Sequence, residues 1–223
     1  MDRSERKPIF LLADSQLLFW RDGERRFLER VAAALDIDAG AATAAYLGAS
    51  NGDAPEFFEV FEAAMAGIGI TKCMHVRAKV DAVASTCLET ANVMLLAGGD
   101  VEVGWRMFRG ANLPERIRTR WNEGAIVMGV SAGAMQLGLR MVSLFPYAVG
   151  VHDEPEWREL VAAVKEGAGA VVGIGIPTGG GAIIHPDMTV ESVRKPFTEV
   201  SHDGEHVRRT EVLALRPSSP DRS

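Results

Sequence analysis

Ser131 lies between two glycines, Gly129 and Gly133, at the end of the apolar run 125–130. A serine hydroxyl is a weak nucleophile at neutral pH, so it needs a base and donors that stabilise the oxyanion. A tight strand-to-helix turn would expose the hydroxyl and aim the Ala132 N–H at a reacting carbonyl. Because Gly-x-Ser-x-Gly also occurs by chance, a turn whose serine only caps a helix is the alternative.

A second glycine-rich loop follows another apolar run. Gly98, Gly99 and Asp100 come directly after the run 92–97. The loop offers a further backbone N–H for an oxyanion. In a sheet of parallel strands, this loop and Ser131 both fall at the carboxyl ends of strands, where ligands bind. The sequence therefore predicts one site formed by the two loops.

The base must come from the five histidines of the chain. His152 follows the apolar segment 144–151 and precedes a predicted helix, so we expect it at the same sheet edge. A solvated His152 beside a helix cap formed by Asp153 is the alternative. His75 is interpreted as a core or edge residue of a strand. The other three, His185, His202 and His206, are interpreted as residues of hairpin turns.

The elements that must position these residues alternate along the chain. Short apolar runs predict strands at residues 9–12, 44–48, 73–76, 92–97, 125–130 and 170–176. Apolar spacing of the helical type predicts helices at 24–35, 55–65, 80–90, 105–108, 114–122 and 155–165. This alternation predicts an α/β fold with a doubly wound, mostly parallel sheet flanked by helices. We expect C-terminal β-hairpins within 181–215, one domain over 1–215 and a flexible tail over 216–223.

Composition excludes several classes of protein. The net charge of −6 argues against a nucleic-acid partner, whose phosphates require a basic face. Two cysteines, Cys73 and Cys87, form neither a disulfide framework nor a zinc pattern. No signal peptide or membrane span is recognisable, so we expect a cytoplasmic protein. We expect no cofactor and no metal ion, and the oligomeric state stays open, with a homodimer as one option.

Several segments, taken in order, resemble the dipeptidase E and cyanophycinase family of serine peptidases. Residues 129–134, Gly-Val-Ser-Ala-Gly-Ala, are similar to the family's nucleophile motif, and residues 96–100 resemble its Gly-Gly loop. Residues 144–147 followed by His152 resemble the segment that carries the family's histidine base. Further similarity lies in residues 46–50, 156–160 and 173–177, so that the resemblance covers most of 8–215.

The resemblance implies a class I glutamine amidotransferase-like fold, a variant of the doubly wound sheet. It implies Ser131 as the nucleophile, His152 as the proton carrier and the N–H groups of Gly99 and Ala132 as oxyanion donors. By the same resemblance, Gly98 and Asp100 belong to the substrate-binding loop. A serine in place of the amidotransferase cysteine argues against glutamine hydrolysis. The family cleaves small aspartyl peptides or a β-aspartyl-arginine polymer, so we expect a small peptide substrate.

The acid that orients the histidine in this family has no counterpart at a matching position. No carboxylate follows directly after residues 173–177, and none lies between Ser131 and His152, which are also closer in sequence than the family leads us to expect. The remaining candidates are Asp153, Glu154 and Asp187. Loss of an orienting carboxylate can reduce the rate by about 10⁴-fold.

We therefore predict a serine-type peptidase or related amide hydrolase that uses Ser131 and His152. The alternative is a non-catalytic protein of the same fold, whose backbone donors hold a carboxylate or phosphate. An ordinary α/β-hydrolase ranks third, because it needs a late histidine such as His202 or His206 preceded by an acid.

Overall fold

The computed structural model describes residues 6–77, 81–152 and 155–213. Its strands are β1 (Ile9–Leu12), β2 (Arg21–Asp22), β3 (Arg25–Arg26), β4 (Thr43–Leu47), β5 (Lys72–Val76), β6 (Val93–Leu96), β7 (Ile126–Val130), β8 (Tyr147–Val151), β9 (Val172–Ile176), β10 (Gly181–Ile184), β11 (Val190–Val193), β12 (Phe197–His202) and β13 (Val207–Val212). Its helices are α1 (Glu29–Ala33), α2 (Pro55–Ala66), α3 (Ala82–Thr90), α4 (Val101–Gly110), α5 (Leu113–Asn122), α6 (Ala132–Leu137) and α7 (Arg158–Glu166).

The centre of the fold is a seven-stranded sheet in the order β11-β10-β1-β7-β6-β4-β5. Five neighbouring strands of this sheet, β1, β7, β6, β4 and β5, are parallel. Strands β10 and β11 extend the sheet beyond β1 in antiparallel pairing. Side chains alternate between the two faces, so that Ile9 and Leu11 join one core cluster and Phe10 and Leu12 the other. The predicted α/β class, with a mostly parallel sheet flanked by helices, is confirmed.

Helices cover both faces of the central sheet. Helices α1 and α2 pack on one face through residues such as Val31 and Phe61, and α3 to α6 supply the other face with residues such as Phe108 and Trp121. Among the described residues, no helix combines the length and the apolar character that crossing a membrane requires. The cysteines are free, and burial raises the pKa of the Cys73 thiol to about 11.

A second sheet carries the segment of His152. Strands β13, β12, β9 and β8 form a four-stranded sheet in that order, with β8 and β9 parallel to each other. We expected His152 at the edge of the doubly wound sheet, and this expectation is wrong, because β8 pairs with β9 and not with a central strand. The two sheets share one core cluster, to which the second sheet contributes Val149, Ile174 and Phe197.

Two further sequence predictions changed in detail. The predicted helix 24–35 shrinks to α1, because β2 and β3 form a hairpin around Gly23, which has a φ of +62°. The predicted C-terminal hairpins are present as β10–β11 and β12–β13, but they join different sheets. The predicted tail at 216–223 lies outside the described residues.

The first turn of α6 packs directly on the end of β6. A Cβ atom placed on Gly133 would lie 2.1 Å from the carbonyl oxygen of Leu96, far inside van der Waals contact. A Cβ on Gly129 would lie 2.6 Å from the Gly133 carbonyl oxygen. Only glycine at these positions lets the helix begin so close to the sheet.

Substitution of Gly133 by alanine should destabilise the fold by about 2 kcal/mol or more, since overpacking against backbone atoms cannot be relieved by side-chain rotation. Gly110→Ala is the matched control, because a Cβ there meets nothing within 4 Å at the end of α4. This control should be neutral or stabilising by up to about 1 kcal/mol. Urea denaturation followed by tryptophan fluorescence measures both, and equal stability of the two variants would contradict the packing argument.

Candidate active site

Ser131 occupies a strained backbone position between β7 and α6. Its φ of 51° and ψ of −114° lie outside the regions that side-chain-bearing residues usually adopt. The strain is held on both sides, because the Ser131 N–H donates to the Leu12 carbonyl at 2.8 Å and its own carbonyl accepts from Ala134 N–H at 2.9 Å. Strained backbone held this firmly clusters at functional sites. The hydroxyl stands at the carboxyl end of β7, where the sequence predicted it.

The structure brings Ser131 and His152 together. Ser131 Oγ and His152 Nε2 are 2.7 Å apart, which is hydrogen-bond distance. His152 follows β8 with a φ of +72°, and its N–H donates to the Ile176 carbonyl at 3.1 Å, continuing the pairing with β9. The serine therefore comes from the central sheet and the histidine from the second sheet.

The Gly98–Gly99 loop lies against Ser131. A Cβ on Gly98 would meet Ser131 Cβ at 3.2 Å, and a Cβ on Gly99 would meet the Ser50 carbonyl oxygen at 2.1 Å. Gly99 has a φ of +133°, which favours glycine. Asp100 N–H donates to that same Ser50 carbonyl at 2.8 Å, and Asp100 Oδ1 caps α4 by accepting from Val103 N–H.

Backbone donors remain available beside Ser131. Ala132 opens α6, and the first N–H groups of a helix have no intrahelical acceptor. In the described part of the chain, the Gly99 N–H has no backbone acceptor either, whereas its neighbour Asp100 does. Two N–H groups without a backbone acceptor thus lie in the segments beside Ser131, and an oxyanion site would require such donors.

A buried polar pair supports this loop, and sequence reasoning missed it. Gln136 Nε2 donates to Ser50 Oγ at 3.0 Å and to the Val101 carbonyl at 2.9 Å. Gln136 is fully buried and Ser50 is 3% exposed. Since buried polar groups need partners, these hydrogen bonds fix α6 to the start of α4 and to the Ser50 turn. The unusual polar residue on the apolar face of α6 was the available signal.

Two cavities meet at the serine. The apolar cavity, of about 220 Å³, lies between α2 and the segment that follows β1, and its apolar wall is formed by Leu18, Phe57, Val60, Phe61, Leu95 and Val130. The histidine cavity, of about 460 Å³, is lined by His152, Glu159 and residues of α6 and β8. Ser131 and Gly99 line both cavities. A substrate across the serine would therefore have one part in each.

Asp14, a residue that the sequence patterns did not single out, also lines the apolar cavity. Its carboxylate accepts from the N–H groups of Gln16 and Gly179. Asp14 follows β1 at the same sheet edge as Ser131 and Gly99, and this position was the signal that could have found it.

The acids that could orient the His152 ring lie in different parts of the chain. Asp187 binds Thr189 in the β10–β11 turn, and these hydrogen bonds lower the pKa of its carboxyl. Asp153 and Glu154 lie outside the described residues. Glu159 is the acidic side chain among the described residues of the histidine cavity. Within the described ranges, no group of three or more His, Cys, Asp or Glu side chains is arranged to hold a metal ion.

Three of the remaining histidines lie beside carboxylates, whereas His202 Nδ1 is buried without a hydrogen-bond partner in the described part of the chain. His185 Nε2 lies 3.1 Å from Glu191, which also receives two hydrogen bonds from Arg30. His202 ends β12, and His206 is exposed in the following turn. In the described part of the chain, His75, His185 and His206 pair with carboxylates, whereas His152 pairs with Ser131.

His75 lies on the edge strand β5, behind the apolar cavity. Its ring stacks on Phe58 with centroids 4.9 Å apart and meets Tyr46 edge-on. Burial lowers the pKa of His75, Arg77 lowers it further, and Asp53, at 3.7 Å, acts in the opposite direction. The folded protein therefore favours the neutral imidazole.

Comparison with known proteins identifies the family to which the chain belongs. The sequence profile of peptidase family S51 matches residues 37–157, more than half of the chain. The chain belongs to peptidase family S51. The matched range includes both loops, Ser131 and His152, and this family membership confirms the resemblance drawn from the motifs.

Solved structures agree with the family S51 fold. A Listeria monocytogenes EGD-e protein, provisionally described as a peptidase E, is 11% identical over 85% of this chain and 98% of its own, with a TM-score of 0.61. A peptidase from an acI-B1 actinobacterium is 12% identical over 95% of this chain and 96% of its own, with a TM-score of 0.60. At these identities the likeness concerns the fold alone. No curated protein matches the chain.

The stability of the protein should fall as the pH drops below about 6.5, because unfolded His75 takes up a proton that folded His75 resists. His75→Gln removes this contribution, so its free energy of unfolding should depend less on pH between about 7 and 5. Urea denaturation at several pH values measures the dependence. The control is His206→Gln, since the His206 side chain is 79% exposed. An equal change of slope in both variants would contradict the assignment.

Proposed function

We propose that this member of peptidase family S51 is a serine-type peptidase that hydrolyses small peptides. The observation that carries the proposal is the 2.7 Å contact between Ser131 Oγ and His152 Nε2 at a strained turn. Two features support it further: the backbone donors beside the serine and the two cavities that meet there.

In the proposed reaction, His152 Nε2 accepts the Ser131 proton while Oγ attacks the peptide carbonyl carbon. The N–H groups of Gly99 and Ala132 donate to the oxyanion of the tetrahedral intermediate. The histidine then gives its proton to the leaving amine, and the peptide C–N bond breaks to leave an acyl-serine. Water, deprotonated by the same histidine, attacks the ester, and the histidine returns the proton to Oγ as the acyl–Oγ bond breaks, which releases the acid product and regenerates Ser131.

Glu159 supports this cycle electrostatically. Proton transfer creates a positively charged imidazole on His152, and Glu159 lines the same cavity. A carboxylate near a cation stabilises the charged form. We propose Glu159 as a positioning and charge-stabilising residue of the site, in place of the acid that the sequence does not supply at the family position.

A fluorophosphonate probe should label the protein at Ser131, because phosphonylation requires the activated hydroxyl. Ser131→Ala should abolish labelling, and His152→Gln should slow it by about 100-fold or more, the usual loss when a general base is removed. Labelling is measured by intact mass and peptide mapping. Ser201→Ala, in β12, is the control and should label normally. Equal, weak labelling of wild type and Ser131→Ala would refute the proposal and favour a non-catalytic ligand-binding protein.

Glu159→Gln should lower kcat about tenfold, equivalent to about 1.4 kcal/mol of lost transition-state stabilisation, with a smaller change in KM. Steady-state hydrolysis of a cleaved dipeptide provides both constants. Glu166→Gln is the control on the same helix, since the Glu166 side chain is 67% exposed and pairs with Arg140. An unchanged kcat in Glu159→Gln would remove Glu159 from the mechanism.

A further inference from the structure

The apolar cavity beside Ser131 carries information about the substrate. Its volume of about 220 Å³ is below the roughly 300–1,000 Å³ of pockets that enclose a whole small molecule, and suits a single side chain. It shares Ser131 and Gly99 with the proposed oxyanion site. A side chain there would belong to the residue that supplies the attacked carbonyl.

The wall that α2 provides is apolar although it faces solvent. Phe57 is 52% exposed and Val60 is 37% exposed, one helical turn apart, and Phe61 lies buried beneath them. Exposed apolar side chains that line one concave surface next to a nucleophile mark a binding site better than isolated ones do. A bound apolar side chain would cover this wall.

The charges and polar atoms of the cavity oppose an acidic ligand. Among the described residues, neither cavity wall contains a lysine or an arginine, and the charged groups are the carboxylates of Asp14 and Glu159. Asn51 Nδ2 donates to Tyr46 Oη at 2.7 Å, which leaves Asn51 Oδ1 buried as an acceptor without a partner in the described chain. A carboxylate side chain would meet acceptors and negative charge, at a cost in desolvation and repulsion.

We propose that the apolar cavity binds an uncharged apolar side chain, such as that of leucine, methionine or phenylalanine, on the residue whose carbonyl Ser131 attacks. The substrates are then small peptides with an apolar residue on the acyl side, and acidic residues are disfavoured there. This inference rests on the proposed function of Ser131 and His152, and it departs from the aspartyl substrates that the family resemblance led us to expect.

Hydrolysis of four dipeptides, Phe-Gly, Leu-Gly, Asp-Gly and Glu-Gly, tests the inference directly. We expect kcat/KM for the two apolar dipeptides to exceed that for the acidic ones by about tenfold to a hundredfold, the range that burial of one apolar side chain provides. Preference for Asp-Gly or Glu-Gly, or no preference, would overturn the inference.

Variants of the cavity wall link the preference to this place in the fold. Phe57→Ala should reduce the preference for Phe-Gly over Asp-Gly about tenfold. Phe19→Ala is the matched control, because Phe19 is 50% exposed and does not line the cavity. Asp14→Asn keeps an oxygen for the Gln16 N–H and should raise the relative rate on Asp-Gly. An unchanged preference in both Phe57→Ala and Asp14→Asn would overturn the assignment of the cavity.

The failure of the inference and that of the proposed function give different results. If Ser131 is labelled but Asp-Gly is preferred, the peptidase proposal stands and the inference falls. If Ser131 is not labelled and no dipeptide is cleaved, the peptidase proposal falls. Calorimetric titration of Ser131→Ala with Phe-Gly and Asp-Gly then decides the inference alone: tighter binding of Phe-Gly supports it, and equal binding or none overturns it.

Discussion

The close approach of the Gly133 backbone to the Leu96 carbonyl determines where Ser131 lies. A Cβ on Gly133 would lie only 2.1 Å from that oxygen, so the first turn of α6 can pack against β6 in only one position. The chain must then turn within one residue, and Ser131 takes up the strain with its positive φ. The same turn leaves the Ala132 N–H free at the helix start. The exposure of the Ser131 hydroxyl and the placement of the Ala132 N–H are therefore both consequences of one tight packing contact.

Around this contact, hydrogen bonds between distant segments complete the site. Gln136 and Ser50 join α6 to the turn that holds the Gly99 loop, and both residues are buried. Because an unpaired amide in this position would cost free energy, the pair fixes the loop relative to Ser131. His152 arrives from the second sheet, whose apolar side chains belong to the same core cluster as those of the central sheet. The site is assembled from four segments that are distant in sequence, namely those of Ser50, Gly99, Ser131 and His152.

The local parts of this arrangement could be predicted from the sequence, and the non-local parts could not. The Gly-Val-Ser-Ala-Gly elbow and the strands before each glycine loop depend on residues adjacent in the chain, so their pattern is readable. The Ser50–Gln136 hydrogen bond joins residues 86 positions apart, and the pairing of β8 with β9 is similarly remote. The helix predicted at 24–35 failed because the Arg21–Arg26 hairpin overrides local helical spacing. Asp14 was missed because a single acid after a strand, at the sheet edge where ligands bind, is only a weak signal.

The division of Ser131 and His152 between two sheets has a consequence for the contact between them. Partial opening of a protein proceeds in cooperative units that often match supersecondary motifs. If the four-stranded sheet loosens from the shared core, His152 leaves Ser131 while the seven-stranded sheet keeps its own parallel pairing. Loosening of this kind would separate Ser131 from His152 in a chain whose central sheet is still paired. The Ser131–His152 contact therefore reports the docking of the two sheets.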